Sequence, residues 1–210
     1  MSTTLAPSPL AACPDLRRGA ERLAVPPAWG LPALAGRLVE LSGEAASATL
    51  TFATGLVAEA QRQGEPAAWI GPRETSFYPP DVAAAGVDLA ALVVVWAERP
   101  RTAAQAADLL LRCGAFGLVI LDLGRTTGLP LAGQTRLAAL AKRHATALVC
   151  LTHKGAQQPS LGSLVSLRAE AVRVGRRGRR FRCEARVLKD KRHGPGWTHA
   201  ELCDGPDGLC

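Results

Sequence analysis

From Gly36 onward the apolar positions follow two alternating rhythms. Short runs with strand character fall at Arg37–Leu41, Ala67–Ile70, Ala91–Trp96, Phe116–Leu121 and Ala147–Leu151. Between them lie longer segments with apolar residues at helical spacing. Thr49–Gln63 places Leu50, Ala53, Val57 and Ala60 on one face, although Gly55 interrupts it. Thr102–Cys113 reads as a helix with Thr102 as its N-cap and Gly114 as its stop, and Leu131–His144 as another. The stretch "DVAAAGVD", Asp81 to Asp88, predicts a short helix ending at a glycine. "ALVVVW" is a continuous apolar run, which predicts a strand covered on both faces. Strands alternating with helices of this length predict parallel pairing. After Gly155 the rhythm changes. Ala171–Val174 and Phe181–Val187 alternate around "GRRGRR", which predicts a hairpin. Its inward rows would be Val172 and Val174 on one strand, and Phe181, Cys183, Ala185 and Val187 on the other. The fold class expected is therefore α/β, a mostly parallel sheet flanked by helices with a C-terminal antiparallel hairpin.

Ahead of this pattern the chain is rich in proline, at positions 7, 9, 14, 26, 27 and 32, which leaves room only for a short helix around Pro14–Leu23. The expected organisation is a proline-rich arm over residues 1–30, a domain over residues 31–202 and a tail over residues 203–210. Apolar residues make up 48% of the 210 positions and aromatics only 4%, so the core must be built from Ala, Leu and Val. The net charge is +7, unevenly spread: residues 168–193 hold eleven Arg or Lys against three acids, a local +8. A single basic segment suits an anionic partner. The six cysteines include no C-x-x-C pair, and Cys113 and Cys150 sit in or beside apolar runs, as buried thiols do. This fits a reducing, cytoplasmic setting. His199, Cys203 and Cys210 match no standard zinc spacing, so no metal is expected. No signal peptide or membrane span is visible.

Four motifs bear on chemistry. "GRLVELSGEAASATLTF", Gly36 to Phe52, has the layout of a strand, a glycine loop and a helix start. A phosphate-binding loop, G-x-x-x-x-G-K-[ST], needs a lysine for the phosphates and a hydroxyl for magnesium. Counted from Gly43, the second glycine is Ala48, the lysine position Thr49 and the hydroxyl position Leu50. If Thr49 is taken as the hydroxyl, the lysine position falls on Ala48. Neither alignment supplies the cation, so tight ATP binding in the usual manner is not expected. Gly43, Ser47, Ala48 and Thr49 thus outline a degenerate nucleotide site, or a plain strand-to-helix turn. "GLVILDLG" ends a strand on Asp122, where such proteins hold magnesium; a loop-capping acid is the equal alternative. Arg176, Arg177, Arg179 and Arg180 cluster at the hairpin tip without intervening acids, beyond what solubility requires. They suit DNA phosphates or an acidic protein surface. Lys189 and Lys191 would share one face of a strand and could reach a single anion, or could simply protect an edge strand; Arg192 follows them. His153 follows a strand but has no recognisable catalytic partner.

Taken in order, these pieces resemble RecA over about residues 36–202. "GRLVELSGEAASATLTF" is similar to its phosphate loop, "AADLLLRCGAFGLVILDL" to its second nucleotide-site strand, and "ALVCLTHKG" to the strand before its second DNA-binding loop. "ARVLKDKRHGPGWTHAEL" is similar to the segment bearing its Lys-x-Lys pair. The departures are the missing lysine, a loose match at Glu74 for the acid that activates water, short loops and the absence of a RecA-type C-terminal domain. With "WIGPRETSFYPPDVAAAGVDLAALVVV" and "RVLKDKR", the chain most resembles the ImuA family of RecA-like accessories to damage-induced mutagenesis. That resemblance implies a non-enzymatic adaptor of SOS-induced translesion synthesis without a cofactor. Its partners would be ImuB, with RecA, an error-prone DnaE-type polymerase and the DNA backbone as further ones. Alternatives are a SulA-like inhibitor of cell division and a RecA-like ATPase with an atypical loop. In RecA filaments the Lys-x-Lys pair reaches the neighbour's nucleotide, so the resemblance implies that Lys189 and Lys191 could let this chain cap a RecA filament.

Overall fold

The strands run in one order along the chain and another across the sheet. The computed structural model describes residues 27–44, 47–73, 77–124 and 128–204. The strands are β1 (Leu38–Ser42), β2 (Ala67–Gly71), β3 (Leu92–Trp96), β4 (Leu118–Asp122), β5 (Ala147–Thr152), β6 (Leu167–Arg177), β7 (Arg180–Asp190) and β8 (Thr198–Asp204). They form one sheet in the order β3-β2-β4-β5-β1-β6-β7-β8. The first six in that order pair in parallel, and β7 and β8 extend the sheet antiparallel.

The helices are α1 (Leu31–Leu34), α2 (Thr49–Arg62), α3 (Pro79–Ala84), α4 (Pro100–Cys113) and α5 (Leu131–His144). Side chains alternate across the sheet, which divides the core in two. Val39, Leu41, Trp69, Ile120 and Val149 face α2, while Ala68, Ile70, Val119, Leu121 and Leu148 face α4 and α5. The buried positions of α2, including Phe52, Ala53, Leu56, Val57 and Ala60, recur at helical spacing. Burying Phe52 and Leu56 contributes roughly 1.5–3 kcal/mol each. Helix α4 stops at Gly114, whose φ of 70° is the left-handed cap that glycine adopts without strain. No helix among the described residues is long and apolar enough to cross a membrane.

Five expectations are corrected. The run "ALVVVW" is the sheet's edge strand, with Val93 42% and Trp96 38% exposed, because only β2 pairs with it. Its hydrophobicity matches a central strand, and hydrophobicity alone does not place a strand within a sheet. Thr102 lies inside the first turn of α4: Arg99 is the N-cap, and the Thr102 hydroxyl accepts from the Arg99 backbone N–H. Val172 and Val174 are not the inward row of β6. Ala169 and Ala171 lie opposite Val187 and Ala185 and fill the core, because the register pairs Val172 with Glu184. Cys113 is exposed, unlike Cys150. The strand that carries Lys189, β7, is not the edge of the sheet, since β8 pairs with it over Arg180–Arg186, and Lys189 lies past that ladder. The proline-rich residues 1–26, including the short helix expected there, and Glu74 and Cys210 lie outside the described residues. Residues 203 and 204 continue β8.

Candidate functional site

The loop after β1 is folded onto its neighbours. The Gly43 N–H donates to the Thr152 carbonyl at 3.1 Å. Ser47 forms an isolated antiparallel bridge with Val172 of β6, and the Ala48 N–H donates to Ala171 O at 3.3 Å. The Thr49 N–H donates to Ser47 Oγ at 3.0 Å. Ser47 Oγ and Thr49 Oγ1 contact each other. Both side chains lie over Gly43, where a Cβ would stand 2.6 Å from Thr49 Oγ1 and 2.8 Å from Ser47 Cβ. Only glycine fits that close approach. A phosphate cradle works by aiming unspent N–H groups at an anion. Here the N–H groups of Gly43, Ala48 and Thr49 have protein acceptors. The charged side chain at the loop is Glu44, whose carboxyl carbon would lie 2.9 Å from a Cβ on Gly155. An acid there repels phosphate.

Asp122 ends β4 at the same end of the sheet, two strands from β1. It is buried, and its Oδ1 accepts from the Gly124 N–H at 2.9 Å. The hollow beside it, bordered by Pro72 and Glu98, measures about 20 Å³. That is room for about one water.

The hairpin formed by β6 and β7 turns at Gly178 (φ 60°) and carries the arginine tip. Arg176 donates to Gly178 O at 2.7 Å and lies 5.7 Å from the Phe181 ring centre, and Arg173 lies 4.8 Å from it. Arg180 meets Asp204 at 3.3 Å, both well exposed, a pair worth little in water. Arg177 and Arg179 flank Gly178 on this exposed turn. Phe181 packs against the core and is flanked by the guanidinium groups of Arg173 and Arg176.

Lys189 and Lys191 converge although they do not share a strand face, because β7 ends at Asp190 and Lys191 lies in the turn that follows. Both Nζ atoms reach the Ser163 carbonyl, at 3.5 and 2.6 Å. Burial and the adjacent Lys191 charge pull Lys189 below the usual lysine range, while Glu40 opposes this. They are nine residues along β7 from Arg180, roughly 30 Å at 3.3 Å per residue, so tip and lysines are separate sites. Arg192 is committed elsewhere: its guanidinium donates to Ala33 O at 3.2 Å and Ala35 O at 3.5 Å, closing the end of α1.

One cluster is absent from the sequence reading. Glu40, fully buried in β1, accepts from Thr152 Oγ1 (3.1 Å), Ser160 Oγ (2.8 Å) and the Leu161 N–H (2.9 Å), and pairs with Lys154 Nζ at 2.5 Å. Arg168 beside it donates to the carbonyls of Gly155 and Gln158, and Glu170 accepts from the Ala156 N–H. These groups staple residues 153–162 onto the sheet. The available signal was a single acid inside the apolar run "LVELS".

A parallel sheet extended by an antiparallel hairpin, with a glycine loop and an acid at the ends of nearby strands, defines a RecA-type α/β domain. A family model, the RecA N-terminal domain, matches residues 20–129, and the chain belongs to that family. It is similar to Protein RecA of Corynebacterium jeikeium, 38% identical over 87 residues, covering 41% of this chain and 23% of the relative. It is also similar to Protein RecA of Bifidobacterium breve, 37% over 93 residues, covering 44% and 23%. Protein RecA of Kineococcus radiotolerans is 39% identical over 93 residues, covering 44% and 26%. The alignments thus span about a quarter of the length of these relatives.

Proposed function

We propose that this RecA-related chain is a non-hydrolysing adaptor of SOS-induced translesion synthesis, of the ImuA type. It binds ImuB and contacts RecA, an error-prone DnaE-type polymerase and the DNA backbone. The observation that supports it best is the loop after β1: it has no cation, its N–H groups at Gly43, Ala48 and Thr49 are spent, and Ser47 and Thr49 lie over Gly43. A domain that keeps this fold without a phosphate cradle has its surfaces left to offer. The arginine tip at Arg176, Arg177, Arg179 and Arg180 is the surface assigned to acidic partners or DNA phosphates, and Lys189 and Lys191 the surface assigned to RecA.

The test has two arms. Calorimetric titration of the full chain with magnesium ATP should give no saturable binding tighter than about 1 mM, weaker than about −4 kcal/mol. Co-elution with purified ImuB should be retained by the wild type and weakened when the four tip arginines become alanine. Magnesium-dependent ATP binding, or no association with ImuB, would overturn the adaptor reading. One observation favours a second reading, an ATPase with an atypical loop: Asp122 stands at the end of β4 where a magnesium-holding acid belongs. In that case ATP binding would be present and would be lost in Asp122→Ala.

A further inference from the structure

We propose that the groove between α4 and α5 is a docking site for an acidic amphipathic helix of a partner protein. It is an open groove of about 1100 Å³ that begins at the segments following β3 and β4, where Arg99, Pro100, Gly128 and Pro130 line it. Ala104, Leu109, Gly133 and Leu137 are among the residues that line it. A Cβ at Gly133 would meet nothing within 4 Å, so a larger side chain there would project into the open space of the groove. Glycine inside a helix costs about 1 kcal/mol relative to alanine, so helix stability does not call for it. Leu109 is 65% exposed and Leu131, at the start of α5, 64%. A single exposed leucine is ordinary. Two of them on one helical layer, one beside an apolar concavity, mark a contact surface.

The charge selects the occupant. Arg101 and Arg136 border the groove. Asp108, the acid in its lining, is already paired with both Arg112 and Arg136. No carboxylate lies within salt-bridge distance of Arg101 among the described residues. The lining includes the first turns of both helices, at Pro100, Arg101 and Gly133, where the helix dipoles add positive potential. The chain's own first 26 residues carry a net +1, three arginines against two acids, so they are poorly matched to this rim. Each helix has 14 residues, a length of about 21 Å. A partner helix of similar length would lay leucines into the groove and acids along the arginine rim. This inference is independent of the adaptor reading, since it involves neither the arginine tip nor the loop after β1.

The test uses the full chain and a fluorescein-labelled 16-residue amphipathic Leu/Glu peptide, with the Leu/Lys counterpart as control. Fluorescence anisotropy should show saturable binding of the Leu/Glu peptide and at least tenfold weaker binding of the Leu/Lys peptide. Gly133→Leu, which projects into the groove, and Arg101→Glu, which reverses a charge on its rim, should each weaken Leu/Glu binding at least tenfold without lowering the unfolding midpoint. Unchanged affinity in Gly133→Leu, or equal binding of the two peptides, would overturn the proposal. So would sedimentation showing a dimer that Leu109→Asp dissociates, since a second copy would then be the occupant.

Discussion

Glu40 is the residue on which the loop over residues 153–162 depends. Its carboxylate is fully buried and serves Thr152, Lys154, Ser160 and Leu161 together. Removing one partner of a buried pair strands the other, so Glu40→Ala should lower stability by about 3–5 kcal/mol, measured by urea unfolding. A second buried pair ties the far end of β7 to the start of β1: Asp190 meets Arg37 at 2.5 Å and also receives the Arg192 N–H, His193 and Trp197. Burial pushes the Asp190 carboxyl up, but hydrogen bonds from Arg192, Arg37 and His193 outweigh it and hold the group below the usual carboxylate range. A depressed folded value means the stabilisation is complete above the unfolded value, near about 3.9, and is lost as pH falls through the folded one. Chemical denaturation between pH 6 and pH 2 should therefore show an acid-side loss of stability that is reduced in Asp190→Asn.

The arginine hairpin and α4 carry predictions of their own. The hairpin is anchored by the pairing of β6 with β1 and, further along β6, by Ser47 and Ala48 at Val172 and Ala171. If the tip contacts DNA phosphates, affinity should fall steeply with salt and show no sequence preference. Four contacts would give a log–log slope of about −3.6, which should largely vanish when Arg176, Arg177, Arg179 and Arg180 become alanine. Fluorescence anisotropy at several salt concentrations reads this, and salt-insensitive binding would point to a protein surface instead. Helix α4 ends at Gly114, where a Cβ would stand 2.6 Å from His144 Nδ1 at a φ of 70°. Gly114→Ala should cost about 1–3 kcal/mol, visible as a lower thermal midpoint.

Across the whole molecule, the glycine loop and Asp122 follow or end β1 and β4, while Lys189 lies in register with Arg168, itself in register with Glu40 of β1. On the adaptor reading proposed above, the lysines meet a RecA neighbour while the altered loop serves none. On that reading, charge reversal at Lys189 and Lys191 should weaken association with RecA filaments in a co-sedimentation assay, with circular dichroism showing that the variant remains folded. The α/β alternation, the span of α5 and the basic hairpin were all legible in the chain, because apolar periodicity and turn chemistry are local properties. So was the missing lysine in the loop from Gly43 to Thr49. The edge position of β3, the turning of Val172 away from the core and the commitment of Arg192 to α1 were not legible, since strand order and register are set by pairing between distant segments. Glu40 shows the limit most clearly. In "LVELS" it is one acid in an apolar run, and its partners are more than 100 residues away. The sequence by itself determined which segments become strands and helices and which cation the loop lacks. Only the tertiary structure decided where the loop's N–H groups are spent and what the buried charges hold, because those pairings exist only once remote parts of the chain share a sheet.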